Sequence, residues 1–210
     1  MQFRCNLGIL HMGFVSLIKF ICLRGLNAPN NTLNSLSSLV MKDRRDEAEQ
    51  MIMSLSNFYR TSLTGDPLDD VPLAEEVHLQ KLYLDIEGVR FPDRLKTVID
   101  IPPTLLTACV PGLILQPVVE NAIKYGVSRT SRPVEIRITA REDGDLMHIN
   151  VTDDGPNPPG DADGGNGIGL ANVRDRLTAR FGDSGRIVYG PREAGGFAVL
   201  LTLPILRKGC

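Results

Sequence analysis

The stretch that decides the fold is LQPVVENAIKYG, residues 115–126. Its apolar spacing predicts a helix on which Glu120 and Asn121 stand side by side, with Lys124 one turn later. An amide oxygen together with phosphate oxygens can hold a hydrated Mg²⁺ ion, because magnesium prefers oxygen ligands and keeps several waters. Glu120 is suited to orient a water or accept a proton, and Lys124 is suited to meet phosphate. Taken alone, the same residues also describe an ordinary polar helix face.

Two further motifs follow at sensible spacing. Asp153-Asp154-Gly155 ends a predicted strand, where a carboxylate can accept a hydrogen bond from an exocyclic amine such as that of adenine, and Gly155 lets a ring approach the backbone. GGNGIGL, residues 164–170, runs into a helix, where backbone N–H groups and the helix dipole favour an anion. It is neither a Walker A loop, because no Gly-Lys-Ser/Thr follows, nor a convincing Rossmann fingerprint.

Around these motifs, hydrophobic periodicity predicts an α/β protein. Residues 32–63 are predicted as helix, either a hairpin or one helix with a polar middle, and their apolar stripe is either a dimer seam or packed on the chain's own core. Helices are also predicted over 72–90, 111–126 and 169–180, and strands over 96–101, 134–140, 146–152, 186–189 and 197–203. The proline at 117 is expected to kink its helix. This order predicts a two-layer α/β sandwich with an antiparallel-leaning sheet.

Composition excludes several classes. A net charge of −2 over 210 residues, without tryptophan, does not favour nucleic-acid binding. The four cysteines show no metal-like spacing, so we expect reduced structural thiols in an intracellular protein. The apolar stretch 8–23 is interrupted by His11 and Lys19, so residues 1–30 are predicted to form either a helix or tail, or the remnant of a membrane helix.

The conjunction of motifs resembles the sensor histidine kinases of the LytS/YehU type, with their GHKL (Bergerat) ATPase domain. The resemblance covers roughly residues 31–204 and rests on NTLNSL (31–36), YLDIEGVRF (83–91) with Arg94-Leu95, LQPVVENAIKYG (115–126) and GIGLANVRDRL (167–177). It implies three parts: an unmatched segment 1–30, a helical dimerisation and phosphotransfer-like segment 31–70, and a GHKL ATP-binding catalytic domain 71–210. The family keeps a proline where Pro117 stands.

Residue by residue, the resemblance implies the roles of a Mg²⁺-dependent ATP site. Asn121 would bind Mg²⁺, Glu120 stands at the catalytic acidic position, and Lys124 would face the phosphates. The remaining implied contacts are an adenine anchor at Asp153, ring support at Gly155 and a lid framed by Gly167, Gly169 and Leu170. The loop between positions 156 and 166 would be mobile and ordered by nucleotide.

One departure from the family concerns the phosphoacceptor. The residues just before the NTLNSL run read LNAPN (26–30). Aligned without gaps, Asn27 falls where the family has a histidine, and with a two-residue gap the histidine is simply missing. An asparagine amide cannot act as the nucleophile that an imidazole can. The three histidines, His11, His78 and His148, lie elsewhere and are poor substitutes. No phosphoacceptor is therefore found in the expected segment.

The expected function is phosphoryl transfer from ATP to a histidine and on to a response regulator. The chain would work in the cytoplasm, or at the inner face of the membrane, as a homodimer or as a heterodimer with another histidine kinase. One alternative is a pseudokinase that binds ATP and serves as a dimerising interaction module. A third class is another GHKL ATPase, such as a chaperone or a topoisomerase-like domain, against which the 31–36 and 83–91 runs argue.

Overall fold

The computed structural model describes residues 27–63, 69–156 and 166–210. The chain divides into two compact units, Met1–Ile52 and Met53–Cys210. Most of the predicted segment 1–30, including the apolar stretch 8–23, lies outside the described residues, as does most of the predicted loop between 156 and 166. Within the described ranges, no helix has the length and apolar character needed to cross a membrane.

The N-terminal helical region is two helices rather than one. Helix α1 spans Asn27–Met41 and helix α2 spans Arg45–Leu63, and a turn separates them at Asp43, whose φ is 56°. This excludes the single-helix alternative. The predicted apolar stripe is only partly buried: Leu39 is buried, whereas Leu33 and Val40 are 52% and 60% exposed.

The second unit contains the predicted α/β sandwich. Its elements, in chain order, are β1 (Asp70–Pro72), α3 (Leu73–Arg90), β2 (Leu95–Asp100), β3 (Cys109–Pro111), α4 (Gln116–Asn121), a π-helical turn (Ala122–Val127), β4 (Val134–Asp143), β5 (Leu146–Asp153), α5 (Asn166–Phe181), a 3₁₀ turn (Gly182–Ser184), β6 (Arg186–Pro191) and β7 (Phe197–Pro204). The large sheet has the order β2-β4-β5-β7-β6. Only β2 and β4 are parallel, and the other neighbours are antiparallel. The prediction of an antiparallel-leaning sheet is confirmed.

Alternation along the strands places one face of the sheet in the core. On this face every second residue of the three central strands is buried, namely Val134, Ile136, Ile138 and Ala140, then Met147, Ile149 and Val151, then Val199, Leu201 and Leu203. These side chains share one apolar cluster with residues of α3, α4 and α5, for example Val77, Val118 and Leu177. Burial of this face against the helices stabilises both layers, at about 25 cal/mol per Å² of apolar surface.

The region before β4 differs from the prediction. The helix predicted over 111–126 begins only at Gln116, because β3 pairs with β1 and ends at Pro111. Pro117 therefore lies in the first helical turn, where its missing N–H breaks no internal hydrogen bond. From Ala122 the helix widens into a π turn, in which Ser128 donates its N–H to the carbonyl of Ile123 at 2.9 Å. The irregular geometry of this helix therefore lies in the π turn near its C-terminal end, rather than at Pro117.

The cysteine prediction is wrong for two of the four residues. Cys109 of β3 and Cys210 form a disulfide that closes a loop of 101 residues. The chain around Cys210 lies along β3, because Cys109 donates its N–H to Leu206 at 2.6 Å and Arg207 donates to the carbonyl of Thr104 at 2.7 Å. Sequence spacing could not reveal this pair, since it depends on the return of the chain after β7. Cys5 and Cys22 lie outside the described residues.

Reduction of this disulfide is expected to destabilise the second unit. A cross-link across about 100 residues lowers the entropy of the unfolded chain, and its loss typically costs about 2–5 kcal/mol. The unfolding free energy of the wild-type chain should fall by this amount when a reductant is added, and that of Cys210→Ser should not change. A wild-type chain whose urea midpoint is the same with and without reductant would contradict the assignment.

Candidate functional site: a buried carboxylate beside a polar helix

Asp153 occupies the last inward-facing position of β5. The alternation that buries Met147, Ile149 and Val151 continues for one more step, and the residue at that step is an aspartate that is only 4% exposed. Burial raises the pKa of Asp153 to about 6, while the N–H groups of Gly155 and Phe197 oppose that rise. A carboxylate in such a position is costly to the fold, and perturbed carboxylates of this kind are frequent at functional sites.

The neighbouring aspartate has a different environment. Asp154 is exposed, and its Oδ1 accepts the N–H of Glu135 at 2.8 Å, where β4 begins. Arg132 also reaches it, with a guanidinium nitrogen 3.9 Å from Oδ1 and a hydrogen bond to its carbonyl oxygen. Asp154 therefore links the end of β5 to the start of β4, whereas Asp153 faces the interior.

Three glycines surround Asp153, and each leaves no room for a side chain. A Cβ at Gly126 would lie 2.7 Å from Asp153 Oδ1, and a Cβ at Gly155 would lie 2.4 Å from the Cα of Gly126. A Cβ at Gly196, whose φ is 85°, would lie 2.0 Å from the Asp153 carbonyl oxygen. That carbonyl also accepts a hydrogen bond from Arg192 at 3.1 Å. The glycines thus bring the π turn and the β6–β7 turn into contact with the end of β5.

The polar residues of the first motif lie on α4 and the π turn. Glu120 is exposed and accepts a hydrogen bond from the Gln116 amide at 2.8 Å, and Asn121 is half-buried. The Lys124 ammonium lies 2.8 Å from the hydroxyl of Tyr125 and 4.6 Å from its ring centroid. Gly126 packs against Asp153, whereas Lys124, two residues earlier in the π turn, is exposed.

The 83–91 motif lies mostly on α3, and its apolar residues share one cluster with those of α4. Burial raises the pKa of the Tyr83 phenol, and the negative charges of Glu87 and Glu120 raise it further. Glu87 is fully buried and is bound by Arg90 through both carboxylate oxygens, at 2.7 and 2.5 Å. The charge of Glu120 thus acts on two buried groups of α3, so α3 and α4 are electrostatically coupled at the candidate site.

The third motif lies in a helix rather than before one. Helix α5 begins at Asn166, so Gly167 and Gly169 belong to its first turn, although the sequence predicted a helix only from 169. Gly169 is half-buried and Leu170 is fully buried in the core. The structure therefore places the start of α5 after the loop that follows Gly155, and the glycines at 164 and 165 lie outside the described residues.

Several residues of the site were not identified from sequence. Gly196 and Arg192 contact Asp153 and lie outside the recognised motifs, whereas Gln116, which contacts Glu120, lies inside the 115–126 motif but was given no role. The paired glycines at 195 and 196 were a usable signal, because both adopt positive φ, which side chains rarely allow. Arg192 gave no signal, since its contact depends on the return of β7 along β5.

Two family profiles match this chain. The family described as "Histidine kinase" matches residues 30–95, and the one described as "Histidine kinase-, DNA gyrase B-, and HSP90-like ATPase" matches residues 111–207. The chain belongs to the sensor histidine kinases. The C-terminal match contains all three motifs, so this histidine kinase chain carries the ATPase-type domain of the family. The N-terminal match begins after Asn27.

Curated relatives agree with this assignment. The chain is 33% identical over 177 residues to sensor histidine kinase YesM of Bacillus subtilis, and 36% identical over 175 residues to sensor histidine kinase BtsS of Escherichia coli. Each alignment covers 83% of this chain and 30% of the relative. The chain thus spans about a third of the length of the curated relatives it matches.

Solved structures show the same fold. The histidine kinase domain of the Erythrobacter litoralis EL346 blue-light activated kinase gives a TM-score of 0.52 at 19% identity, covering 79% of this chain and 83% of that one. The catalytic domain of histidine kinase ThkA gives 0.51 at 17% identity, covering 65% and 95%. At this identity the likeness supports the GHKL-type fold and nothing finer.

Replacing the buried carboxylate should make the nucleotide-free protein more stable. Because the pKa of Asp153 is raised by folding, its ionised form destabilises the native state, and this penalty grows as the pH rises from about 4 to about 6. Asp153→Asn keeps an acceptor for the Gly155 N–H and should raise the unfolding free energy at pH 7 by about 1–3 kcal/mol. The gain should vanish near pH 4 in urea titrations.

The matched control for this prediction is Asp154→Asn. It removes the same charge one residue later, from an exposed side chain, and should show no such pH-dependent gain. If Asp153→Asn were less stable than the wild type at pH 7, the burial of an ionised carboxylate at this position would be refuted.

Proposed function

We propose that this chain binds Mg²⁺ and ATP at the site around Asp153 and serves as the catalytic core of a sensor histidine kinase. The γ-phosphoryl group would pass to a histidine and then to a response regulator. The observation that carries the proposal is the buried, glycine-enclosed carboxylate of Asp153 beside the Glu120–Asn121 helix, within a chain of this family. A carboxylate that destabilises the fold is explained if a ligand uses it.

The adenine end of the nucleotide would lie at Asp153. Its carboxylate would accept a hydrogen bond from the exocyclic amine, and hydrogen bonds to a charged acceptor are roughly twice as strong as neutral ones. Gly155, whose own N–H donates to Asp153 Oδ1 at 2.9 Å, would let the flat ring approach the backbone. Gly126 packs against Gly155 at the same carboxylate oxygen, so neither position has room for a side chain.

The phosphate end would lie along α4 and the start of α5. The Asn121 amide oxygen fits a magnesium ion bound mainly by phosphates and water, because magnesium prefers oxygen ligands and keeps several waters. Such an ion supplies charge neutralisation at the transferring phosphoryl group. Lys124 would turn from Tyr125 to the phosphates, and Gly167, Gly169 and Leu170 would frame the lid.

The chemistry required of the protein is positioning and a base. In the transfer, the bond between the γ-phosphorus and the bridging oxygen breaks, a phosphorus–nitrogen bond to an imidazole forms, and ADP leaves. Glu120 would accept the imidazole proton, and the Gln116 amide donates a hydrogen bond to one of its carboxylate oxygens. We assign no phosphoacceptor to Asn27, which lies at the start of α1, because an amide is not a nucleophile.

We infer the partners from the missing acceptor histidine. A chain without an acceptor histidine in the expected segment would phosphorylate a histidine of another histidine kinase in a heterodimer. In a homodimer, the acceptor would have to lie outside that segment. A response regulator is the expected final acceptor, and the histidine kinase ThkA has been solved in complex with the response regulator protein TrrA. The chain would act in the cytoplasm, where ATP is supplied. Nothing in its charge favours a nucleic-acid partner.

The nucleotide site is tested by comparing two neighbouring aspartates. Asp153→Asn should weaken ADP binding at least about tenfold in calorimetric titrations, because it removes a charged hydrogen-bond acceptor from a buried contact. Asp154→Asn should bind ADP as the wild type does. Loss of binding together with the increase in stability at pH 7 would identify Asp153 as a ligand-binding residue, whereas equal binding by both variants would refute the site.

The transfer step is tested with radiolabelled ATP. We expect Asn27→His to incorporate an acid-labile label, and Asn27→His combined with Asn121→Ala to incorporate none. The wild-type chain should bind ATP and remain unlabelled. If the wild-type chain is labelled and the label survives replacement of His11, His78 and His148, histidine phosphorylation would be contradicted. Steady ATP hydrolysis without any label would favour another GHKL ATPase.

A further inference from the structure

The turn of residues 112–115 connects β3 to the helix that carries Glu120 and Asn121. This helix has no cap of its own, because Leu115 stands at the N-cap and makes no side-chain hydrogen bond to the first turn. The turn also contains Leu113, a non-glycine residue with a φ of 59°. A non-glycine residue in this strained conformation persists only where the surrounding structure holds it.

Glu76, on a different helix, accepts hydrogen bonds from the turn that precedes α4. It lies in the first turn of α3 and is only 2% exposed. Its Oε1 accepts the N–H of Leu113 at 2.5 Å, and its Oε2 accepts the N–H of Leu115 at 3.0 Å. Burial raises the pKa of Glu76, while these backbone N–H groups and the charge of Arg176 oppose that rise. Both carboxylate oxygens are thus committed to the turn.

Arg176 holds the same turn from α5. Its guanidinium donates a hydrogen bond to the carbonyl of Gly112, and its positive charge acts on the Glu76 carboxylate. Helix α5 is the helix whose first turn contains Gly167 and Gly169. A single turn is therefore held through its N–H groups by α3 and through a carbonyl by α5, and it continues directly into α4.

We propose that Glu76 and Arg176 are positioning residues that set where α4 lies relative to α5. They would act through the turn rather than by contacting nucleotide, keeping Asn121 near the phosphates that α5 encloses. The inference rests on the proposed function for its consequence in binding, but the restraint on α4 is a property of the nucleotide-free protein. The two are therefore measured separately.

The first measurement is amide hydrogen exchange of the nucleotide-free chain. Glu76→Gln replaces one acceptor oxygen by an NH₂ group that faces a backbone N–H, so residues 113–121 should exchange at least about tenfold faster, as expected for loss of a hydrogen bond to a charged group. Amides of β4 and β5 should be unchanged. Glu75→Gln is the matched control, because Glu75 is the exposed neighbour on the same helix and loses the same charge.

The second measurement is the dependence of nucleotide binding on magnesium. The ratio of the ADP dissociation constant in EDTA to that in Mg²⁺ should fall about fivefold or more in Glu76→Gln and remain at the wild-type value in Glu75→Gln. Affinity in EDTA should be close to wild type, because Asp153 is not part of the turn. Arg176→Lys, which keeps the charge but loses the planar fork, should change both readouts in the same direction.

The outcomes separate the two proposals. Wild-type exchange and an unchanged magnesium ratio in Glu76→Gln would overturn the positioning role, and so would an equal rise in exchange across the whole sheet. If Glu76→Gln does not fold, Arg176→Lys decides by the same criteria. A wild-type chain that binds no nucleotide would refute the proposed function, while faster exchange confined to 113–121 would still support the restraint on α4.

Discussion

One buried carboxylate constrains the path of the chain around the candidate site. Strand alternation, which elsewhere places valine, isoleucine and methionine on the core face, places Asp153 there at the end of β5. The surrounding backbone contributes hydrogen bonds that reduce the cost of its burial without removing it, as the raised pKa shows. The glycines at 126, 155 and 196 are then required, because three separate segments must approach this residue more closely than a Cβ allows. Enclosure of the carboxylate therefore determines the path of each segment around the site.

The helix beside this carboxylate is held at both ends by contacts with distant parts of the chain. Its start is held by Glu76 of α3, 37 residues before Leu113, and its end is widened by a π turn that brings Gly126 against Asp153. The intervening residues, Glu120 and Asn121, are thereby placed between two restrained ends. Unusual helical geometry at a polar motif is common at functional sites.

Much of this arrangement could be predicted from the sequence, because period-two alternation and the glycine-rich turns are local signals. The central strands and the strand end that carries Asp153 appeared where they were expected, and the family resemblance was confirmed. The start of α4 was misplaced, since the signal that ends β3 is its pairing with β1, 39 or so positions away by chain. The disulfide of Cys109, the hydrogen bonds of Glu76 and the Arg192 contact each join residues that are distant in sequence, so no local pattern encodes them.

The most direct test of this account is a crystal structure of the chain with Mg²⁺ and a non-hydrolysable ATP analogue. We predict that the adenine amine lies within hydrogen-bond distance of the Asp153 carboxylate, at about 2.7–3.2 Å. The ring should lie against Gly155, and the metal ion should be bound by the Asn121 amide oxygen and phosphates. An adenine that lies elsewhere, with the Asp153 carboxylate still enclosed and in contact only with protein, would contradict the central claim that this buried charge exists to bind nucleotide.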